Sequence, residues 1–161
     1  MLSIEGMTDE RTLIEQQLST GLVLLGRHYS RQLDKVVNPY HLSAASALPL
    51  AILSRMGDGT RQGILANALG IEGPGLVRQL DLLCARGLVE RSEDASDRRA
   101  KTLHLTVEGR RVALKVEASF AQLRSELLTD ISNEDIAACL RIFTLLEMRM
   151  SERSDPDRSA A

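Results

Sequence analysis

The spacing of the apolar residues changes within one stretch, Thr60 to Thr106, and this change limits what the chain can fold into. From Arg61 to Arg86 apolar residues recur every three or four positions, which predicts helices. From Ala100 to Thr106 they alternate, with Leu103 and Leu105 on one face, which predicts a strand. The stretch therefore predicts short helices followed by a β-hairpin.

Two helices separated by a tight turn are predicted in the first part of this stretch. The first helix runs from Arg61 to Leu69, and Gly70 can adopt the left-handed conformation that ends a helix. We expect Ile71 to plug the gap behind that turn. Glu72-Gly73-Pro74 begins the second helix, because proline suits a first helical turn, and Gly87 ends it. This order is that of a helix-turn-helix.

Helical spacing divides these two helices into an inner and an outer face. The side chains predicted to be buried are Ile64, Leu65, Leu69, Leu76, Val77, Leu80 and Leu83. The outer face of the second helix carries Gly75, Arg78, Gln79 and Leu82. Arginine can donate two hydrogen bonds to guanine, and glutamine can bond adenine in the same way. A solvated helix face is the alternative, and this segment alone favours neither interpretation.

The predicted hairpin carries a local excess of positive charge. Its strands are Leu88 to Arg91 and Ala100 to Thr106, with Ser92 to Arg99 at the tip. The whole chain has a formal net charge of -2, so global charge gives no support for nucleic-acid binding. From Arg98 to Arg111, however, there are five basic residues and one acid. Basic residues gathered beside a helix-turn-helix favour a DNA-binding unit over a solvated turn.

Asp97 precedes two arginines at the hairpin tip. In an extended chain Asp97 and Arg99 project from the same side, so the carboxylate can hold the guanidinium by paired hydrogen bonds. An arginine held on a protruding loop suits a narrow minor groove, where the negative potential is enhanced. We therefore expect Arg98 and Arg99 to contact DNA from the hairpin.

Long helices are predicted on both sides of this unit. The first runs from about Glu10 to Val37 with a heptad-like stripe, and Asn38-Pro39 ends it. It either lies on its own core or packs against a second subunit, and its length favours the second. A helix from Ser43 to Met56 follows, which Pro49 should bend or shift. After Thr106, a predicted N-cap, another long helix reaches about Thr129.

A capping box at Ser132 to Asp135 predicts the last helix. Its apolar positions are Ile136, Leu140, Phe143 and Met150, and we expect the polar tail 151–161 to be disordered. The predicted fold class is mainly α (α+β), within a single domain spanning residues 1–161. Residues 42–106 form its winged helix-turn-helix. Helices 10–38 and 107–150 expose more apolar surface than so small a core can cover, so they predict a dimer.

Composition excludes several other classes of protein. The two cysteines, Cys84 and Cys139, are far apart and have no metal-ligand spacing, and no long apolar run or signal peptide is evident. We therefore expect a cytoplasmic protein with reduced thiols and no membrane partner. We find no glycine-rich phosphate loop and no nucleophile beside a recognisable base, so we expect neither an enzyme nor a cofactor.

The order of elements and three strings, LGIEGPGLVRQLDLL, ARGLVER and ASDRRAKTLHLT, resemble the MarR family of winged helix-turn-helix regulators. The LGIE-x-P-x-LVR pattern is similar to its SlyA-like subgroup. The likeness covers about Ile14 to Met150 in layout, and Leu69 to Thr106 in sequence. It implies a homodimer that binds pseudo-palindromic double-stranded DNA as a repressor or activator. The expected DNA-binding residues are Arg61, Pro74, Gly75, Arg78, Gln79, Asp97, Arg98, Arg99 and Lys101.

The resemblance also implies that a small aromatic carboxylate can release the DNA. The residues expected to line an effector pocket are His28, Tyr29 and His41. Three departures from the family pattern bear on these expectations. Gly75 stands where the subgroup usually has serine, Gly73 lies in the same helical turn, and Ala47 and Pro49 replace bulkier side chains. Since only 2% of the residues are aromatic, these departures favour a remodelled or absent pocket.

Two other functions remain open at this point. A DNA-independent dimeric module whose hairpin binds protein would show no salt-dependent affinity for DNA. A thiol-based redox sensor within the same family would use Cys84 or Cys139, although small buried thiols are the commoner explanation for both.

Overall fold

The computed structural model describes residues 9–71, 73–94, 96–97 and 100–154. Its helices are α1 (Glu10–Val37), α2 (Ala44–Met56), α3 (Gln62–Leu69), α4 (Gly73–Ala85), α5 (Val107–Leu128) and α6 (Asn133–Ser154), with a 3₁₀ turn at Asn38–Tyr40. Its strands are β1 (Thr60–Arg61), β2 (Val89–Glu93) and β3 (Lys101–Leu105). The chain divides into two compact units, one ending at Leu123 and one beginning at Arg124. The mainly helical fold class is confirmed.

The core of the first unit is built almost entirely from aliphatic side chains. Its fully buried large members are Val37, Leu50, Leu53, Leu65, Leu76, Leu80, Leu83, Val89, Leu103 and Val116, together with Pro49. Both helices of the helix-turn-helix, the helix before them and the sheet contribute to this set. The core therefore holds α3, α4 and the hairpin in one packed unit.

The strands form one antiparallel sheet in the order β1-β3-β2. In the hairpin Val89 is opposite Leu105, and Glu93 is opposite Lys101. The short strand β1 pairs with the other edge of β3, where Arg61 is opposite Thr102. Sequence patterning missed β1, because two residues are too few to show alternation.

Local capping agrees with the sequence predictions. Ser43 and Ser46 form a capping box at the start of α2. The Thr106 hydroxyl accepts a hydrogen bond from the Gly109 amide at 2.8 Å, and the Ser132 hydroxyl accepts one from the Asp135 amide at 3.1 Å. Gly70 ends α3 in the left-handed conformation, with φ +61°. These predictions are confirmed because each cap involves residues only a few positions apart.

Several details of the sequence prediction are wrong. Ile64 is 52% exposed, and Val77 and Ile71 are each 39% exposed, although all three were expected inside. Periodicity identifies a helix more securely than the edges of its buried face, and only Leu65 and Ala66 of α3 are buried. Helix α3 begins one residue later than predicted, because Arg61 is the last residue of β1.

The remaining corrections concern the ends of elements. Strand β2 extends to Glu93, two residues beyond the predicted end, while β3 lacks the predicted Ala100 and Thr106. Helix α2 includes Pro49 within one element, and the bend expected there stays a prediction. Helix α6 extends to Ser154, so residues 151–154 are not disordered as predicted. Residues 155–161 of the predicted tail lie outside the described residues.

Glycine is required where α5 leaves the sheet. A Cβ atom built on Gly109 would lie 1.9 Å from the carbonyl oxygen of Leu88. The Thr106 hydroxyl donates to the Gly87 carbonyl at 2.7 Å, directly beside this contact. The first turn of α5 therefore packs on the backbone before β2, and this packing sets the start of the hairpin.

Among the described residues no single helix is long and apolar enough to cross a membrane. The segments Glu10–Tyr40 and Ala44–Met56 reach that length and composition only as a pair, and they are bent by 78° relative to each other.

Candidate DNA-binding surface

At Gly75, Arg78 and Leu82 the outer face of α4 matches the face predicted from its spacing. Leu76, Leu80 and Leu83 are completely buried and attach the helix to the core. Pro74, Gly75 and Arg78 are exposed on the opposite side. Leu82, on the same side, is 51% exposed. Among these residues of the first turns of α4, only Arg78 thus carries a side chain that can donate hydrogen bonds.

The glycine at position 75 leaves this backbone open. A Cβ atom added there would meet nothing within 4 Å, and the same is true at Gly73. A larger side chain would fit in the folded protein, so packing does not explain either glycine. What the two glycines change is the surface of α4, which offers fewer side-chain groups at its N-terminal end.

Gln79 differs from Arg78 in its exposure. Its side chain is only partly exposed, and its Oε1 atom is buried with no hydrogen-bond partner among the described residues. A buried acceptor without a partner is unfavourable, and it cannot bond a base from that position. Gln79 would have to change rotamer to contact DNA, whereas Arg78 would not.

A salt bridge connects α4 to the hairpin. Arg91 of β2 donates through Nη1 to Asp81 of α4, and its Nη2 donates to the Val77 carbonyl at 3.3 Å. The side chain of Arg91 is 26% exposed, and its Nε is buried without a partner among the described residues. This pair orients α4 relative to β2 and compensates the charge of the Asp81 carboxylate.

Arg86 holds the other end of the same helix. Its guanidinium donates to the backbone carbonyls of His41 at 2.6 Å and Tyr40 at 2.8 Å. The Tyr40 hydroxyl is in turn 2.9 Å from the Ser119 hydroxyl of α5. The C-terminal end of α4 is therefore fastened to the segment that joins α1 to α2.

The hairpin tip is organised by Asp94. Its Oδ1 accepts hydrogen bonds from the Ser96 amide at 2.8 Å, the Ser96 hydroxyl at 2.6 Å and the Asp97 amide at 3.2 Å. The loop is closed by two backbone bonds, from the Asp94 amide to the Ala100 carbonyl and from the Ala100 amide to the Asp97 carbonyl. One carboxylate thus shapes the turn that leads to the two arginines.

Arg61 reaches this turn from the far edge of the sheet. Its Nε donates to Asp94 Oδ2 at 2.7 Å, and its Nη2 donates to Ser96 Oγ at 2.8 Å. The Arg61 guanidinium and the Ser96 donors hold the pKa of the Asp94 carboxyl well below its usual range. The carboxylate therefore stays charged, and the contact stays formed, at any pH near neutrality.

The hairpin β2–β3 and its tip form the wing, and the other residues predicted to act there have different surroundings. Lys101 is exposed, and its ammonium lies 3.3 Å from Glu93 across the hairpin. Asp97 contributes its amide and carbonyl to the turn. Arg98 and Arg99 lie outside the described residues, and so does the predicted pairing of Asp97 with Arg99. A cavity of about 480 Å³ is lined partly by Arg61, Asn67 and Lys101.

The three expected effector residues are all exposed in the structure. His28 and Tyr29 are exposed on α1. His41 is also exposed, its backbone has φ +55°, and its carbonyl is bound by Arg86. An effector pocket built from these residues remains a prediction.

The two cysteines have different environments. Cys84, on α4, is partly buried, and burial raises the pKa of its thiol. Cys139, on α6, is exposed. Since the thiolate is the reactive form, burial makes Cys84 the less reactive of the two. In the part of the chain that the structure describes, no cluster of three or more potential metal ligands is present.

Sequence reasoning missed the residues that hold this surface together. Arg91 and Asp81 stand ten positions apart, on different elements, so only the packing brings them into contact. The Asp94-x-Ser96 spacing is that of a side-chain-capped turn, and it could have identified the tip. No local signal joins either residue to Arg61.

Comparisons with known proteins agree with this architecture. A family model described as MarR family matches residues 42–100. The crystal structure of the transcriptional regulator PA3341 is 34% identical over 84% of this chain and 98% of its own, with a TM-score of 0.75.

Two further solved structures are more distant. MepR of S. aureus in a DNA complex is 22% identical, covers 81% of this chain and 96% of its own, and has a TM-score of 0.74. A cysteine-to-serine mutant of MarR from E. coli with operator DNA is 21% identical, covers 86% and 99%, and has a TM-score of 0.73. These two share the fold. The family model and the 34% identical regulator establish that the chain belongs to the MarR family of transcriptional regulators.

Proposed function

We propose that this protein is a dimeric transcriptional regulator that binds double-stranded DNA at specific sites. Its helix α4 enters the major groove, and its β2–β3 wing contacts the adjacent minor groove. The observation that carries the proposal is the exposed N-terminal face of α4, where Arg78 projects from a helix locked to the wing. Proteins of this family regulate transcription and are not enzymes.

The charges of this surface support a polyanionic partner. Asp81 and Asp94 both lie on it, and each is paired with an arginine, Arg91 and Arg61 respectively. An unpaired carboxylate there would repel DNA phosphates. Arg78 and the wing basic residues would then supply the attraction, since phosphate contacts provide much of the affinity for DNA.

Two structural neighbours support the same partner. The S. aureus MepR structure is a complex with DNA, and the E. coli MarR mutant is complexed with operator DNA. Both share the winged fold of this chain with TM-scores above 0.7. We propose the same class of ligand for this protein.

A homodimer is the assembly we propose. On α1, up to residue 25, the large exposed apolar residues are Leu13, Ile14, Leu18, Val23, Leu24 and Leu25. On α6 they are Leu140, Ile142, Phe143, Leu145, Met148 and Met150. Apolar rows of this length on both terminal helices exceed what a monomer usually exposes. A second copy would cover them and place two copies of α4 on one pseudo-palindromic site.

Three finer features complete the proposal. The LGIEGPGLVRQLDLL string supports membership in the SlyA-like subgroup. Regulation can be repression or counter-silencing activation. A small aromatic carboxylate is the proposed effector, with His28, Tyr29 and His41 as candidate contacts. Titration of a benzoate-type acid into the DNA complex would test the effector, and unchanged affinity at millimolar acid would argue against it.

The experiment that tests the function is selection of bound duplexes from a random DNA pool. We expect a pseudo-palindrome with half-sites about one helical turn apart. Affinity for the selected duplex should fall with salt, with a slope of log K against log salt near about -0.9 for each phosphate neutralised. A scrambled duplex of the same composition is the control. If selection yields no motif and affinity does not depend on salt, the DNA-independent interaction module becomes the better function.

A further inference from the structure

We propose that Arg61 acts as a positioning residue that fixes the wing in its DNA-binding pose through Asp94 and Ser96. The inference rests on the proposed function and assigns Arg61 a different role from the direct DNA contact predicted for it. Its guanidinium is directed into the wing turn, where it makes two hydrogen bonds of 2.7 and 2.8 Å. Nε and Nη2 are therefore both engaged within the protein.

The network closes on itself. Asp94 accepts from Arg61 on one carboxylate oxygen and from Ser96 on the other. The Ser96 hydroxyl donates to Asp94 at 2.6 Å and accepts from Arg61 at 2.8 Å. Each of the three side chains thus contacts both of the others. A closed set of charge-assisted bonds restricts all three side chains more than isolated pairs would.

The position of Arg61 in the fold gives this network its effect. Arg61 ends β1 at the edge of the sheet and directly precedes α3, the first helix of the helix-turn-helix. Asp94 directly follows Glu93, which with Lys101 forms the last pair of the hairpin ladder. The Asp94 side chain is 12% exposed, against 47% for Arg61. The contact therefore ties the wing turn directly to the start of α3.

Preorganisation explains why such a tie matters for binding. A loop that orders only on contact with DNA loses conformational entropy at that moment, and affinity falls accordingly. With Asp94, Ser96 and Asp97 held beforehand, less conformational entropy is lost when the wing binds. Arg61 would then raise affinity without touching a phosphate.

The test uses the full-length protein and the duplex selected from the random pool. Asp94→Asn retains the Oδ1 acceptor that shapes the turn and replaces the oxygen bound by Arg61 with an amide donor. Arg61→Gln removes the other partner. Glu93→Gln is the matched control, because it removes a neighbouring carboxylate that pairs with Lys101 at 3.3 Å instead. Thermal melting verifies that each variant is folded.

Two explanations predict opposite changes in DNA affinity for Asp94→Asn. If only charge matters, loss of an acid tightens binding to DNA, as it should for Glu93→Gln. If Arg61 positions the wing, Asp94→Asn weakens binding about three- to tenfold, and so does Arg61→Gln. The double variant should bind no worse than either single variant, since both lose the same contact. The salt slope should stay unchanged for Asp94→Asn.

Three results would overturn the inference. The first is tighter DNA binding by Asp94→Asn, and the second is a loss of affinity in the double variant equal to the sum of the two single losses. The third is a slope of log K against log salt that is smaller in magnitude by about 0.9 in Arg61→Gln, whether residue 94 is Asp or Asn. The last would make Arg61 a direct phosphate contact. Failure of the proposed function would look different, because the parent protein itself would then show no salt-dependent affinity.

Discussion

Arg91 of β2 forms a salt bridge with Asp81 of α4, and the same guanidinium donates to the Val77 carbonyl. The two side chains belong to the wing and to the helix proposed to enter the major groove. Because one arginine holds both elements, their relative orientation is a property of the folded protein before DNA binds. This relationship defines the first prediction.

Replacing Arg91 with alanine should weaken DNA binding and lower stability. The pair is partly exposed, with Arg91 at 26% and Asp81 at 58%, so we expect a loss of about 1 kcal/mol in the free energy of unfolding. Urea unfolding measures this loss. Arg11→Ala is the control, since its pair with Glu15 is exposed and should contribute less than about 0.5 kcal/mol. Equal effects from the two variants would contradict the bracing role of Arg91.

Arg78→Ala should relax the sequence preference of the protein. Loss of a bidentate contact to a base costs about 1–3 kcal/mol at the preferred base pair and much less elsewhere. Arg78→Lys keeps the positive charge and loses the two paired hydrogen bonds to the base. It should therefore retain most of the overall affinity for DNA and lose the sequence preference. Arg99→Ala should weaken binding evenly across sequences. Binding to a panel of single-base operator variants tests the role of Arg78. If Arg78→Ala loses the same affinity for every variant, Arg78 contacts phosphate and not a base.

Gly109→Ala should severely destabilise the fold. The added methyl group would lie 1.9 Å from the Leu88 carbonyl oxygen, so the backbone must move, at a cost of about 3 kcal/mol or more. Gly75→Ala is the matched control, because a methyl group there meets nothing within 4 Å. It should leave stability unchanged or raise it by up to about 1 kcal/mol. Thermal and urea unfolding of both variants would check this contrast, which a small loss at Gly109 would refute.

Leu140→Glu should convert the proposed dimer into a monomer. Leu140 is 58% exposed within an apolar row on α6, and in the proposed dimer a second copy would cover it. A buried unpaired carboxylate at this position opposes association. Sedimentation measures the mass, and DNA affinity should fall with it. Val107→Glu is the control, because Val107 is 80% exposed at the start of α5. If the Leu140→Glu variant remains dimeric, α6 does not form the dimer interface at this position.

A thiol reagent should modify Cys139 before Cys84. Burial raises the pKa of Cys84, which lowers its thiolate fraction at neutral pH, whereas Cys139 is exposed. In a dimer that covers α6, the modification of Cys139 would also be slower. The rates of thiol modification should therefore be measured in the parent protein and in Leu140→Glu. Peroxide should not weaken DNA binding. If it does, and Cys84→Ser with Cys139→Ser abolishes the loss, the protein is a redox sensor.

What the sequence alone determined was local. The helical stripes, the caps at Ser43, Thr106 and Ser132, and the turn at Gly70 depend on neighbours within a few positions. The change of period after Arg86 predicted the order of helices and hairpin. The motif strings then indicated the family. All of these follow from short-range sterics and hydrogen bonding, which a linear pattern records directly.

Only the tertiary structure decided which side chains hold the DNA-binding surface together. Arg61 meets Asp94 because β1 joins the edge of β3, and Arg91 meets Asp81 because β2 packs beside α4. Sequence reasoning placed Arg61 among the DNA contacts, and it could not show that Nε and Nη2 of this residue donate to the wing turn. Long-range partners depend on the register of the strands and on the packing of the core, and neither leaves a periodic trace in the sequence.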